Sequence, residues 1–205
     1  MKAKLQKMLL AAVAGASLLS GCAPLVVGGA VMGGVVAVDR RTSGAQLEDE
    51  AIELKVSSAI NKELGERVHL NVTSYNRRVL LTGEVRGEAE RSRATLLAQS
   101  QENVKDVVND LAVGAPSSLT QRTKDTVTTG QVKAAFVDAK DLQSNAVKVV
   151  TERGIVYLMG RVTAREAQRA TDIARSTSGV AKVVRVFEDI SEQELQRLSQ
   201  PPLSR

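Results

Sequence analysis

Aromatic side chains are scarce in this sequence of 205 residues, which has two Tyr, two Phe and no Trp. Val, Leu, Ile and Ala must therefore fill any interior, and modest aliphatic cores are typical of small domains. One cysteine, Cys22, and one histidine, His69, exclude an intramolecular disulfide, a Cys-His pair and a zinc site of the usual composition. No acid, base and nucleophile have the spacing of a known catalytic motif. We therefore expect no enzyme activity, catalytic residue, cofactor or metal site.

The sequence also lacks a large excess of positive charge when its first seven residues are left out of the count. The formal net charge is +5, but Lys2, Lys4 and Lys7 lie in the first seven residues. Without them the 28 basic side chains fall to 25, against 23 acidic ones. This near balance, with no Arg/Lys cluster interleaved with aromatic residues, does not indicate a nucleic-acid partner.

Residues 8–38 carry no charged side chain. The first part of the chain, residues 1–21, has a basic start, an apolar run and a small-residue ending, which is the pattern of a secretory signal peptide. Its ending, Leu19-Ser20-Gly21-Cys22, resembles a bacterial lipobox. That resemblance implies cleavage before Cys22, diacylation of its thiol and acylation of the new amino group. Because two or more acyl chains hold a protein stably, we expect outer-membrane lipid as a partner through acylated Cys22.

The alternative for this run is a transmembrane helix, since uncharged runs of 18 or more residues are candidate spans. Against it, glycine and proline punctuate the run, and both are poor helix formers. After cleavage, residues 23–38 would leave 16 residues, fewer than the ~20 that a spanning helix needs. The sequence thus favours a lipid-anchored apolar tether over residues 22–48. Ala23 stands where Asp resembles an inner-membrane retention signal, which implies export to the outer membrane.

From Asp49 onward the chain contains two similar halves about 76 or 77 residues apart. The clearest match is VLLTGEV at 79–85 against VYLMGRV at 156–162. Both segments alternate at period two, as a half-buried strand does. The internal glycines, Gly83 and Gly160, predict a bulge or a close backbone approach. A shorter strand and a turn precede each segment, so each half contains a hairpin.

Amphipathic helices flank both predicted hairpins. One of them begins with Thr163-Ala-Arg-Glu166, a capping-box pattern. The fold class is therefore α+β, with two tandem αββαβ domains, each a small mixed three-stranded sheet packed on two helices. The boundaries are 49–115 and 123–190, with a linker at 116–122 and a C-terminal tail with a short helix at 191–205. Each unit is near the low end of size for independent folding, which is consistent with mutual packing.

This order of elements resembles the BON domain, an αββαβ module of bacterial envelope proteins. The hairpin glycine and the downstream stretches at 103–107 and 179–183, which are Gly-Val-x-x-Val-like, carry the resemblance. A lipobox followed by two such units is similar to the dual-BON outer-membrane lipoproteins, from Cys22 to about Ile190. The resemblance implies a non-catalytic protein on the periplasmic face of the outer membrane that supports envelope integrity.

In these lipoproteins the first helix of the second domain is associated with binding of anionic phospholipids. Here that helix is expected to begin near Asp125, and the resemblance implies phospholipid contacts at four positions, namely Val127, Thr128, Gln131 and Lys133. Relatives can place Trp and Lys where this chain has Val127 and Gln131, so an interfacial aromatic anchor is missing. A second hypothesis is a periplasmic adaptor that binds proteins of an envelope assembly or cell-division machine.

Overall fold

The structure is a computed structural model that describes residues 39–65 and 68–198. All of these residues belong to one compact unit. The predicted signal peptide, Cys22 and residues 22–38 of the predicted tether lie outside the described residues. Within the described part of the chain, none of the helices combines the length and the apolar character that a membrane span requires.

The first half contains two helices and four strands. In chain order they are α1 (Ser43–Leu64), β1 (His69–Tyr75), β2 (Arg78–Val85), α2 (Glu88–Gln99), β3 (Asp106–Asn109) and β4 (Ala112–Val113). Strand β1 runs antiparallel to β2, whereas β3 and β4 both run parallel to it. Strand β2 is therefore the centre of a mixed sheet.

The second half repeats this plan and adds a terminal helix. Its elements are α3 (Leu119–Asp138), a 3₁₀ turn (Ser144–Ala146), β5 (Lys148–Glu152), β6 (Ile155–Val162), α4 (Ala164–Ser176), β7 (Lys182–Asp189) and α5 (Glu192–Leu198). Strand β6 lies between antiparallel β5 and parallel β7. The predicted α+β class and the αββαβ order of both halves are confirmed, and Thr163 and Glu166 form the predicted capping box.

Helices α1 and α3 begin earlier than the sequence patterns indicated. Thr42 and Ser118 are the N-caps, and their hydroxyl oxygens accept hydrogen bonds from the N–H groups of Ala45 and Gln121 at 3.1 and 3.2 Å. Residues 43–48, expected in the tether, and residues 119–122, expected in the linker, are therefore helical. The helix expected to begin near Asp125 begins six residues before it.

The first sheet has four strands rather than three, because its closing strand is broken after Asn109. The amide of Asn109 turns back toward α2, where Nδ2 donates to the Arg91 carbonyl at 2.8 Å and to Thr95 Oγ1 at 2.6 Å. Its Oδ1 accepts from the Leu111 N–H at 3.0 Å. Leu111 then enters the core, 2% exposed, before pairing resumes in β4.

A close backbone approach is confirmed at both strand glycines. A Cβ on Gly83 would lie 2.1 Å from the His69 carbonyl oxygen, and a Cβ on Gly160 would lie 2.3 Å from that of Ala146. Both distances are far below van der Waals contact. The repeat therefore requires glycine where the central strand crosses the start of its antiparallel neighbour.

An aspartate in the second turn of α1 holds the first hairpin turn. The turn residues Asn76 and Arg77 have φ of 50° and 70°, a left-handed conformation that costs energy in residues other than glycine. The Asp49 carboxylate accepts hydrogen bonds from both of their N–H groups at 2.7 Å, from Ser74 Oγ at 2.6 Å and from Arg41 at 2.7 Å. Burial opposes ionisation of Asp49, but these hydrogen bonds outweigh it and hold its pKa below the usual value.

The second domain has an equivalent aspartate that binds its hairpin turn, and we call this arrangement the aspartate clamp. Asp125 accepts hydrogen bonds from the N–H groups of Arg153 and Gly154, both at 2.8 Å, and both turn residues have positive φ. Asp49 and Asp125 are 76 residues apart, so the clamp is part of the repeat. Each of these two acids lies six residues beyond the first residue of its helix.

We expect the substitution Asp49→Asn to lower the free energy of unfolding by about 3 kcal/mol, because an amide has one acceptor oxygen for two turn N–H groups and Arg41 loses one of its two carboxylate partners. Urea unfolding at pH 7 measures this. The pKa of Asp49 is lower in the folded than in the unfolded chain, so its contribution is complete above the unfolded value of 3.8 and is lost as the pH falls through the folded value. The difference from wild type should therefore narrow below pH 4.

The matched control is Glu50→Gln, an exposed neighbour on the same helix. It should change the unfolding free energy by less than about 0.5 kcal/mol. Equal effects of the two substitutions would contradict the clamp.

Candidate functional site

The outer faces of the two sheets pack against each other. Five buried side chains from both domains form this cluster, namely Tyr75, Leu80, Tyr157, Met159 and Val186. Each domain has a separate core on the opposite face of its sheet, against its helices. Central strands β2 and β6 are consequently buried on both faces, and the prediction of half-buried strands was wrong. The period-two pattern correctly identified the strand residues that face the helices. It did not predict that the residues on the opposite face of each strand are buried as well.

Polar contacts cross this interface at its margin. Five hydrogen bonds cross it, and the donor is named first in each: Tyr157 to Asp110 at 2.9 Å, Arg78 to the Phe187 carbonyl at 2.7 Å, Asn76 to Glu188 at 2.5 Å, Asn71 to Glu152 at 2.7 Å, and Lys148 to Glu53 at 3.0 Å. Burial raises the pKa of Tyr75 to about 12, and burial together with Asp110 raises that of Tyr157. Both phenols are therefore neutral at physiological pH.

The residue that enters the fold from the tether side joins the two domains. Arg40 lies before α1, yet its guanidinium makes a bidentate ion pair with Glu166 of α4, at 2.6 and 2.8 Å, with both side chains about 5% exposed. It also donates to the Arg161 carbonyl at 2.7 Å. Burial opposes ionisation of Glu166, but the bonds from Arg40 and Thr163 prevail and lower its pKa. The neighbouring Arg41 packs 4.3 Å over the Tyr75 ring and thus supports the same interface.

We expect Arg40→Ala to lower the unfolding free energy by about 3 to 5 kcal/mol, because the Glu166 carboxylate would stay buried without its cation. Arg40→Lys should cost less, since one ammonium keeps the charge but cannot reproduce the bidentate fork. Urea unfolding measures both. The control is Arg175→Ala at an exposed position of α4, which should remain within about 0.5 kcal/mol of wild type. A loss at Arg40 no larger than the control would contradict this role.

The four residues expected to contact phospholipid all lie on α3, but they do not share one side of it. Val127 is 55% exposed, and Gln131 and Lys133 are also exposed. Thr128 is 5% exposed and faces Gly179, where an added Cβ would lie 2.8 Å from Thr128 Oγ1. The structure therefore brings three of them to solvent and places Thr128 beneath the surface, as part of the packing of α3.

The solvent side of α3 carries separate apolar side chains along its length together with exposed bases. Leu119, Val127 and Val137 are 80%, 55% and 69% exposed, on the side away from buried Val132 and Phe136. Three exposed bases accompany them, namely Arg122, Lys124 and Lys133. Asp138 is the one exposed acid of this helix, which the structure describes over its whole length. We call this side the α3 surface.

Helix α1 occupies the equivalent place in the first domain but has the opposite charge. It contains five acidic and two basic residues, and its exposed apolar side chains are Leu47 and Leu54, 68% and 73% exposed. The repeat thus presents one acidic and one basic helix on the same kind of scaffold.

A cluster of one imidazole and two carboxylates lies where the two domains meet. His69 Nδ1 is 2.9 Å from Glu84 Oε2, and Glu152 of the second domain completes the group. Burial and the adjacent Glu84 charge raise the pKa of Glu152, against the hydrogen bond from Asn71. Sequence reasoning missed this cluster, because its members are far apart in the chain. The one available signal was Glu84 itself, which replaces Arg161 of the second copy within an apolar strand.

The class of this protein is defined by two αββαβ domains whose outer sheet faces pack against each other. A family model for the BON domain matches residues 48–115 and 124–188. The chain therefore belongs to the BON domain family.

The relatives agree with this membership. The chain is 42% identical over 182 residues to the outer membrane lipoprotein DolP of Haemophilus influenzae, over 87% of this chain and 94% of that protein. It is 32% identical to the 21 kDa hemolysin of Actinobacillus pleuropneumoniae, over 73% and 78%, and 31% identical to the osmotically-inducible protein Y of Escherichia coli, over 68% and 72%. The first of these relatives confirms the predicted dual-BON type and the outer-membrane location.

Proposed function

We propose that this protein is a non-catalytic lipoprotein, anchored through acylated Cys22 on the periplasmic face of the outer membrane, that supports envelope integrity by binding anionic phospholipid with its second BON domain. The α3 surface is the observation that carries the proposal. It combines exposed apolar side chains with flanking bases, as helices that lie in a membrane interface do.

The charges of α3 determine which lipid it prefers. Arg122, Lys124 and Lys133 are exposed, and each basic side chain near an anionic membrane surface contributes about 1 kcal/mol. Val127 is a small aliphatic group, so it supplies less interfacial anchoring than an aromatic ring would. Electrostatic attraction therefore dominates, and binding should weaken as salt rises.

Two neighbouring threonines of α3 help to fix how it would meet the membrane. Thr128 packs under Gly179, and Thr129 Oγ1 donates to Thr151 Oγ1 of β5 at 2.7 Å. These contacts hold the helix against the sheet and leave Val127, Gln131 and Lys133 exposed. In this proposal Thr128 supports the binding helix without touching lipid.

Vesicle cosedimentation tests the lipid preference. Because Arg40 and Arg41 belong to the compact unit, the soluble fragment should begin at Ala37. We expect it to bind vesicles that contain phosphatidylglycerol, to bind phosphatidylcholine vesicles weakly, and to be released by salt. Lys124→Glu combined with Lys133→Glu should weaken binding at least about tenfold, since two attractive charges become repulsive.

The matched control reverses two exposed lysines of α1, by Lys55→Glu with Lys62→Glu, and should weaken vesicle binding much less than the reversal on α3, because α1 faces away from the membrane in this proposal. Equal and weak binding of the wild-type fragment to both lipids would contradict anionic-lipid recognition. That outcome would favour the adaptor hypothesis, in which a protein surface such as exposed Leu47 and Leu54 of α1 binds an assembly or division protein.

The anchor has its own test. Cys22→Ser should yield an uncleaved precursor without acyl chains, because the thiol is the acceptor on which processing depends. Mass spectrometry and membrane fractionation measure the product. Ser17→Ala, a change in the apolar run outside the lipobox, should be processed normally. A Cys22→Ser protein that matures and reaches the outer membrane as wild type does would show that the lipobox assignment is wrong.

A further inference from the structure

Three strand ends bring His69, Glu84 and Glu152 together. His69 begins β1 and pairs directly with Glu84 near the end of β2, whereas Glu152 ends β5 in the other domain. One ligand atom from each of the three side chains lies within 4.8 Å of the other two. The two carboxylates are 2% and 6% exposed, and the imidazole is partly open to solvent.

One oxygen of this cluster has no hydrogen-bond partner among the described residues. Glu84 Oε1 is fully buried and unpaired, whereas Oε2 accepts from His69 and Ser117. The nearest cation is Arg153, whose Nε is 3.8 Å away, beyond hydrogen-bond distance, on a side chain that is 47% exposed. A buried carboxylate oxygen without a hydrogen-bond donor is costly, and the long ion pair with Arg153 offsets this cost only in part.

We propose that His69, Glu84 and Glu152 form a binding site for a divalent transition-metal ion, best matched by Zn²⁺. Zinc accepts imidazole nitrogen and carboxylate oxygen at about 2.0 to 2.2 Å, which separates two ligand atoms by about 3.4 Å in a tetrahedral site. The observed spacing requires movements of roughly 1 Å, which side-chain rotation supplies. Three protein ligands leave a fourth position for water.

The surroundings orient the ligands and give access to them. Asn71 Nδ2 donates to Glu152 Oε2 at 2.7 Å, and the Ser117 N–H donates to Glu84 Oε2 at 3.1 Å. Hydrogen bonds of this kind fix the direction of ligating carboxylates. A cleft of about 230 Å³, lined in part by His69 and Glu152, opens the cluster to solvent. Arg153 opposes a cation, but its half-exposed side chain can turn into solvent when the metal binds.

The ligands come from both domains, which gives the site a structural consequence. His69 and Glu84 belong to the first domain and Glu152 to the second, so the ion would crosslink them. An ion that binds the folded but not the unfolded chain raises the unfolding temperature by mass action. Mixed nitrogen and oxygen ligands also predict an affinity order of Zn²⁺ over Mn²⁺, with Mg²⁺ weakest.

Calorimetric titration of the full chain in detergent, purified through a tag without histidine and treated with chelator, tests the site. We expect one Zn²⁺ per chain and a rise of several degrees in unfolding temperature. Glu84→Gln, Glu152→Gln and His69→Asn should each weaken Zn²⁺ binding at least about tenfold and remove the thermal shift. Glu63→Gln, an exposed acid paired with Arg93, is the control and should behave as wild type.

Circular dichroism of each variant without metal checks that it folds, and the partly exposed His69 provides a variant with little effect on packing. No binding by the wild-type chain at 100-fold excess Zn²⁺ would overturn the proposal. So would binding that all three ligand substitutions leave unchanged, which would mean an adventitious ion only. Tighter binding of Mg²⁺ than of Zn²⁺ would overturn the assignment of the metal.

Discussion

The packing of the two outer sheet faces is the constraint on which the rest of this structure depends. Each domain has helices on one face of its sheet only, and a domain of this size cannot leave the other face apolar and exposed. Leu80 of β2 and Tyr157 of β6 belong to one buried cluster at the interface, and each sheet covers the face that the other leaves open. The pair is therefore the folding unit, with two helix-facing cores and a third core between the sheets. This also explains why contacts made before α1, by Arg40, reach the second domain.

The central strands cross the interface in opposite directions, so the hairpin end of each domain meets the far end of the other central strand. At one end Asn76 of the first hairpin contacts Glu188, which also binds Arg161 of β6. At the other end Glu152 of the second hairpin lies beside Glu84 of β2. Arg161 and Glu84 occupy equivalent positions of the repeat. The repeat is thus symmetric in backbone and asymmetric in charge, with Arg161 near one end of the interface and Glu84 at the equivalent position near the other.

Much of this fold was predictable from sequence, for reasons that particular residues make clear. The repeated VLLTGEV and VYLMGRV segments gave the central strands, and Gly83 and Gly160 gave the close approaches, because both depend on short-range pattern. Burial of the second strand face was not predictable in this way, since it depends on a partner 77 residues distant. The role of Asp49 was not predictable for a similar reason, because its partners lie in a turn beyond the helix. On α3, the pattern gave the helix but not its start, and burial of Thr128 required the position of Gly179.

The two first helices of the domains also differ in charge, since α1 is acidic and α3 is basic. Because the shared core holds α1 and α3 on one body, a charged surface acts on both helices at once. An anionic surface attracts the bases of α3 and repels the acids of α1, so the two helices orient the body in the same sense. Two independently tethered domains would respond separately, and the acidic one would add nothing to the orientation of the basic one. The interface between the sheets therefore places two helices of opposite net charge on one body.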